Sequence, residues 1–340
     1  MAVLSVTALF SFGLIAPPFN EKKPVNVHSF LERVFPDEKK ETFVLEPLLG
    51  GCSANSIYKV SVGDRYYVLR VMRSGGRSFQ EELELFVFLE ASKIGVAPKV
   101  IATGADCRLV LMEYIDQKTL SLEESHLPEN IIKLAESLRL VHQIPGGASG
   151  ESISSKADRC VVAVSKNNWI SSSQTEDALS LVKKYELELS SYPYSPVRLH
   201  GDLNPRNIFL AEGKALFIDW SETSLGDPLY DLSYLALKLD YDPAQEILLL
   251  ESYFDRSLTG QEMIRYHLHK KIHLAFWSLT HLYLAQSLCE KKPEANYVDV
   301  NSSLNTWGYY QKVFADNREE LFSQYFCDFS RLSYQRALED

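Results

Sequence analysis

The chain has 340 residues, 46% apolar and 24% charged, which is long enough for a two-lobed globular core rather than one small domain. A net charge of −10 argues against nucleic-acid binding, which needs a basic footprint, and is compatible with a cationic small substrate. Cys52, Cys107, Cys160, Cys289 and Cys327 are scattered without paired spacing, as reduced thiols of a cytoplasmic protein would be, so no disulfide framework is expected.

Residues 1–16 are apolar and uncharged, but they lack a basic leader and a small-residue cleavage site and are too short to span a bilayer. They read as a packed helix or strand, with an uncleaved membrane-associating segment as the alternative; stable membrane insertion is not expected. Pro17 to Lys40 reads as a connector carrying one short helix, Val27 to Val34. From Phe43 the pattern is that of strands: FVLEPLL, a glycine-rich turn from Gly50 to Asn55, SIYKVSV, a Gly63-Asp64 hairpin and RYYVLRV. The glycines let backbone approach a phosphate closely, and Ser53 and Asn55 add donors. Arg70, a cation at the inner end of an apolar strand, needs an anion, which nucleotide phosphates and an acidic helix partner would supply. The segment SFQEELELFVFLEAS predicts an amphipathic helix with Phe86 and Leu89 facing inward; Glu84 is the first candidate to pair with Arg70, and Glu81 the second. GVAPKVIAT and CRLVLMEYI complete a sheet lobe as a turn and two strands.

Ile131 to His142 is helical by its apolar spacing. PGGASGESISSK and SKNNWISSSQTED, rich in Ser, Gly and Asn, flank the short apolar run VVAV and predict a mobile insertion, followed by a helix from Glu176 to Ser190. The chemistry concentrates in LHGDLNPRNIFL, a short turn and LFIDWS. Phe217 and Ile218 read as a buried strand and Ile208 to Leu210 as its hairpin partner, so Asn207 and Asp219 fall at the open ends of neighbouring strands. Their oxygens can share a hard cation such as Mg2+ with nucleotide phosphates. Asp202, just upstream in a loop, can orient an alcohol and take its proton as phosphorus is attacked. His200, between Leu199 and Gly201, reads as a structural residue that holds the loop by hydrogen bonding. The remainder is helical: PAQEILLLESYF, then residues 262–288, then a stretch from about Asn305 to Ala337. His269 and His273 stand one turn apart, but HKKIH lacks the glutamate of a zincin and is discounted as a metal site.

HGDLNPRN followed by IDW resembles the catalytic loop and metal-binding segment of the protein-kinase-like small-molecule kinases: the aminoglycoside phosphotransferases and the choline/ethanolamine kinases. Asn204 in place of a lysine, and Trp220-Ser221 in place of Phe-Gly, set it apart from protein kinases. The resemblance spans about residues 43 to 330 and implies an α+β, bilobal protein-kinase-like fold. An extension over 1–40 would precede a small antiparallel-sheet N-lobe with one helix over 41–116, which binds the nucleotide. A larger helical C-lobe over 117–340 would carry catalysis and the acceptor. It further implies ATP and Mg2+, with Asp202 as base, Asn207 and Asp219 on the metal, and Arg70, positioned by Glu84, on the phosphates.

Further segments match the same family. GVAP is similar to its GxAP element, and Glu113 to Ile115 to its hinge, where backbone groups of Glu113 and Ile115 would meet adenine in a pocket lined by Leu111 and Met112. IIKLAESLRLVH resembles the A-x-x-L-x-x-x-H helix that ends here at His142. In GDPLYD, Asp231 resembles a structural residue that steadies the catalytic loop, although its place at a helix N-terminus makes a capping role the rival. The arginine of VLRV and a helix bearing Trp277 lean toward choline or ethanolamine as acceptor, with Glu222 as counter-charge. Thr280 stands where a second tryptophan is expected, leaving Tyr283, Trp220 or Trp307 to complete an aromatic cage. An aminoglycoside, thiamine or sugar-type alcohol is the runner-up acceptor. A nucleotide-binding pseudokinase acting through a protein partner is the reading from another class, and the presence of Asp202, Asn207 and Asp219 speaks against it.

Overall fold

The computed structural model describes residues 26–38, 42–48, 56–72, 79–104, 108–146, 150–165, 172–211, 213–288 and 330–338. Residues 1–16, Ser53, Asn55 and Trp307 lie outside them. Helix α1, Val27–Val34, begins where the Asn26 side chain accepts from Ser29 N at 3.0 Å. Its Phe30 and Leu31, with Phe35, pack against Val60, Val62, Leu69, Leu109 and Leu111 of a sheet, so the helix expected in the connector is built into the small-lobe core.

That sheet holds β1 (Phe43–Pro47), β2 (Ser56–Val62), β3 (Arg65–Val71), β4 (Val100–Thr103) and β5 (Leu109–Glu113), antiparallel in the order β1-β2-β3-β5-β4. Gly63, at φ +57, lets the two-residue turn close with Val62 opposite Arg65, and that register sets Arg70 opposite Ile57; on its other side Arg70 pairs with Val110 of β5. Strand alternation sends Leu111 to the α1 face and Met112 to the other, so Leu111 fills the small-lobe core rather than a nucleotide pocket. Helix α2, Phe79–Lys93, lies on that second face. Its inward stripe is Glu84, Val87, Phe88 and Ala91 at i, i+3, i+4 and i+7, which turns Phe86 outward to 41% exposure, against the sequence expectation.

The larger lobe is built from α3 (Leu122–Ser125), α4 (Pro128–Val141), α5 (Ile153–Val164), α6 (Ser172–Leu189), α7 (Pro228–Leu239), α8 (Pro243–Phe254) and α9 (Gly260–Leu288). A further helical segment covers 330–338. The run VVAV lies inside α5 rather than in a loop: Ser152 caps the helix, and Ala157, Cys160 and Val164 recur at helical spacing on a buried face. Serine-rich composition had masked that period. Two short ribbons lie between α6 and α7: β6 (Val197–Leu199) pairs with β9 (Ser224–Gly226), and β7 (Ile208–Ala211) with β8 (Lys214–Phe217). Among the described residues no helix is long and apolar enough to cross a membrane.

Candidate active site

Strand β6 feeds directly into His200-Gly201-Asp202, and that loop is fixed from three sides. Gly201 has φ +86, and a Cβ there would sit 2.4 Å from the Glu222 carbonyl oxygen, so glycine alone fits. Asp231, fully buried on α7, accepts from His200 N at 2.7 Å, from Gly201 N at 3.0 Å and from His142 Nε2 at 3.1 Å. Capping belongs to its neighbour Asp227, whose side chain accepts from Leu229 N at 3.0 Å and also takes Arg265 Nε at 2.8 Å. Burial alone would raise the Asp231 carboxyl, but hydrogen bonds from His142 and the His200 backbone bring it below the ordinary carboxylate range. His142 in turn meets Tyr253 Oη at 2.7 Å through Nδ1, tying α4 and α8 to the loop.

His200 is wholly buried against Phe217 and Trp220, and burial lowers its pKa. Its Nε2 donates to Ile218 O at 3.1 Å, which leaves Nδ1 as the acceptor for Asp202 N–H at 3.3 Å. The ring therefore holds two strands of the site together as a neutral tautomer. The Asp202 carboxylate is itself oriented: Tyr234 Oη donates to Oδ1 at 2.7 Å and Asn207 Nδ2 to Oδ2 at 3.2 Å.

Asn207 ends a 3-10 turn, Pro205–Asn207, started by the Asn204 side chain. Its Nδ2 also donates to Asp202 O at 3.0 Å, so the amide nitrogen faces inward and Oδ1 is the atom left to act as a hard-metal donor. Ile208 pairs with Phe217, and Ile218 N donates to Asn207 O at 2.9 Å, which brings Asp219 beside Asn207 at the ends of β7 and β8. Asp219 has φ +64, a left-handed conformation uncommon for aspartate and concentrated at functional sites. One amide oxygen and one carboxylate suit Mg2+, which keeps water and phosphate oxygens for its remaining positions. Among the described residues no three His, Cys, Asp or Glu side chains cluster to hold a metal unaided.

Small-lobe groups converge from above. Arg70 Nη2 lies 2.6 Å from Glu84 Oε1, the first of the two candidate partners, with both side chains largely buried. Burial raises the Glu84 pKa; Arg70 opposes this, while the negative field of Asp219 adds to it, so the pair lies within electrostatic reach of the Asp219 carboxylate. Gln80, one turn earlier on α2, donates Nε2 to Ser221 O at 2.8 Å and Thr223 O at 3.0 Å, joining the helix to the segment behind Asp219. At the hinge, Glu113 N–H donates to Lys99 O, and its carboxylate accepts from Lys99 N, each at 2.9 Å; Ile115 is half-buried just beyond β5.

The two residues expected to meet a cationic acceptor have partners within the chain. Trp277 is 3% exposed, packed edge-on against Tyr234, with the Lys238 ammonium 3.8 Å above its ring centroid. Glu222 accepts from Lys156 Nζ at 2.7 Å. Trp220 is packed on His200, so it completes no cage around Trp277. His269 and His273 turn to different partners, Asp227 at 3.1 Å and the Tyr230 carbonyl at 3.0 Å. Sequence reading missed Tyr234, Lys238 and Gln80. The signal for the first two was there: Asp231, Tyr234 and Lys238 are spaced i, i+3, i+7 and share one stripe of α7.

Residues 44–267 match the sequence profile of the phosphotransferase enzyme family. No curated protein sequence matches the chain. Among solved structures, the chain is similar to a choline/ethanolamine kinase family protein from Mesorhizobium loti, at 20% identity over 91% of this chain and 100% of that one, TM-score 0.59. It is similar to a choline kinase from Streptococcus pneumoniae, at 18% identity over 92% and 97%, TM-score 0.59. A spectinomycin phosphotransferase in complex with ADP and spectinomycin aligns at 13% identity over 89% and 99%, TM-score 0.55. At these identities the likeness speaks for the fold, which is kinase-like.

Proposed function

Because the chain belongs to the phosphotransferase enzyme family and is a small-molecule phosphotransferase, we propose that it transfers the γ-phosphate of ATP to the hydroxyl of a small-molecule alcohol. The observation that carries this reading is the convergence of Asp202, Asn207 and Asp219 on one hydrogen-bonded loop and hairpin beneath the Arg70–Glu84 pair. Tyr234 and Asn207 hold one carboxylate oxygen each, so Asp202 is oriented before an alcohol arrives. It accepts the hydroxyl hydrogen and takes the proton as the new O–P bond forms and the bond to the departing ADP breaks. Asn207 Oδ1 and the Asp219 carboxylate would hold Mg2+, which supplies charge stabilisation to the phosphoryl oxygens. Arg70 binds the phosphates and Glu84 fixes its direction; Ser53 and Asn55 are proposed as added phosphate donors. Adenine is assigned to the backbone at Ile115, since Glu113 N–H is already bonded to Lys99.

Structures of the same fold solved with ADP in one case and AMP in another support nucleotide binding. A cytoplasmic setting, where ATP is available and thiols such as Cys160 stay reduced, goes with the reading. Choline or ethanolamine, the acceptor to which the VLRV strand and Trp277 pointed, is the compound class that names two of the structural neighbours. The partners of Trp277 and Glu222 bear on that choice and are taken up below.

The test is ADP formation by the purified full chain with MgATP against choline, ethanolamine, thiamine, aminoglycosides and sugars. One acceptor should accelerate turnover, and Asp202→Asn should remove roughly a hundredfold or more of it, as expected for loss of a general base. Full turnover by Asp202→Asn would overturn the assignment.

A further inference from the structure

We infer that Lys238 is a specificity-determining residue and that the acceptor is an alcohol without a positive charge, because the chain fills the cation seat beside Asp202 with its own lysine. This rests on the kinase reading above and narrows its substrate.

The two kinds of group that recognise an alkylammonium in water are an aromatic face and a carboxylate. Among the described residues, the aromatic face and the carboxylate to which the sequence pointed are Trp277 and Glu222, and both already hold a lysine of the chain. The ammonium of Lys238 lies 3.8 Å from the Trp277 ring centroid and 5.5 Å from that of Tyr234, inside the range of cation–π attraction. Tyr234 is the residue that donates to Asp202 Oδ1 at 2.7 Å, so this aromatic pair reaches the proposed base directly. The Glu222 carboxylate is neutralised from α5 by Lys156 at 2.7 Å. A trimethylammonium brought to the Trp277 face would meet Lys238 at like charge, and in a desolvated place such a pair repels strongly. Lys238 is 2% exposed, so it is not positioned to swing into water and vacate the ring. Burial pulls its pKa down to about 8, which still leaves it charged at neutral pH, with the Asp202 carboxylate favouring the charged form. Lys156 is more exposed than Lys238, so the Glu222 pair is the weaker of the two blocks and Trp277 the decisive one.

An uncharged or anionic alcohol meets no such conflict.

The experiment compares choline with its neutral carbon isostere 3,3-dimethylbutan-1-ol by calorimetric titration of the full chain saturated with Mg2+ and a non-hydrolysable ATP analogue. In the wild type, choline should bind no more than about threefold tighter than the isostere, since no net cation–π gain is left. In Lys238→Ala the vacated ring should raise the preference for choline by about tenfold, and Trp277→Leu in that background should abolish the gain. A wild-type preference for choline of about tenfold or more that is lost in Trp277→Leu would overturn the inference, as would a folded Lys238→Ala with no gain. The wild-type comparison stands by itself if that variant does not fold. Failure of the analogue to bind, or ADP formation indifferent to Asp202→Asn, would defeat the kinase reading separately.

Discussion

Replacing Asp231 by asparagine separates two accounts of that residue by size of effect. A negative charge in the first turn of α7 would contribute about 0.3–1 kcal/mol through the helix dipole, and its loss would be small. The observed contacts demand more. Asp231 takes three donors, His200 N, Gly201 N and His142 Nε2, with no water-exposed surface. Asparagine keeps one oxygen, so at least one of those donors faces an amide N–H2, at about 1–3 kcal/mol for a stranded buried donor. The charge-assisted bond from His142 is weakened as well, bringing the expected loss to about 2–5 kcal/mol. Urea unfolding followed by tryptophan fluorescence at pH 7 measures it. Turnover should fall about ten- to a hundredfold, because the amides that aim Asp202 are released, while the KM for MgATP stays near wild type. A variant within about 0.5 kcal/mol of wild type with full turnover would refute the anchoring argument. The carboxyl is held below its ordinary range, so its contribution is complete above the unfolded-state pKa and is lost only as pH falls through the lower folded value.

Three further outcomes follow from the same geometry. Glu84→Gln removes the charged partner of Arg70 and should raise the KM for MgATP about tenfold with the acceptor KM unchanged, a split read by steady-state kinetics. Lys238 falls from 10.5 to about 8 on folding, so the unfolded chain binds the extra proton between those values and stability should rise with pH across them. The gain is about 3 kcal/mol at most, and urea midpoints at pH 8 and 10 should show it in wild type but not in Lys238→Met. Arg198 is 1% exposed, and among the described residues nothing accepts a hydrogen bond from its Nε, Nη1 or Nη2. Arg198→Met should therefore stabilise the fold, by about 1–4 kcal/mol, and a loss of stability on urea unfolding would contradict the reading.

What the sequence made legible was local. The Gly63-Asp64 hairpin, the bounds of α1 and the pairing of Ile208 with Phe217 each follow from a few consecutive residues, and they place Arg70, Asn207 and Asp219. Glu84 is the first candidate partner of Arg70 in the sequence, but the face it shares with Val87 and Phe88 is not the expected one, since the sequence reading turns Phe86 and Leu89 inward. What stayed hidden lies at long sequence separation or under misleading composition. Tyr234 meets Asp202 across 32 residues and Gln80 meets Ser221 across 141, and no periodic pattern marks a polar contact of that kind. Helix α5 was obscured by serines, although its apolar residues kept the helical period. The glycine-rich turn with Ser53 and Asn55 lies outside the described residues.

Two helices supply most of the control over the site, each from one stripe. On α2, Gln80 and Glu84 are a turn apart: the first grips the backbone behind Asp219, the second grips Arg70. Any shift of that helix moves Arg70 and Asp219, the residues proposed for phosphate and metal, together, so their spacing is set by one rigid element rather than by two loops. On α7, Asp231 holds the amides of His200 and Gly201, Tyr234 the carboxylate of Asp202, the proposed base, and Lys238 the face of Trp277. Because these three sit at i, i+3 and i+7, the position of Asp202 and that of the Lys238 charge cannot vary independently. On the proposed reading, accepting a cation in place of an uncharged alcohol would therefore require a substitution at Lys238 itself, since rotating α7 to remove its charge would also release Asp202.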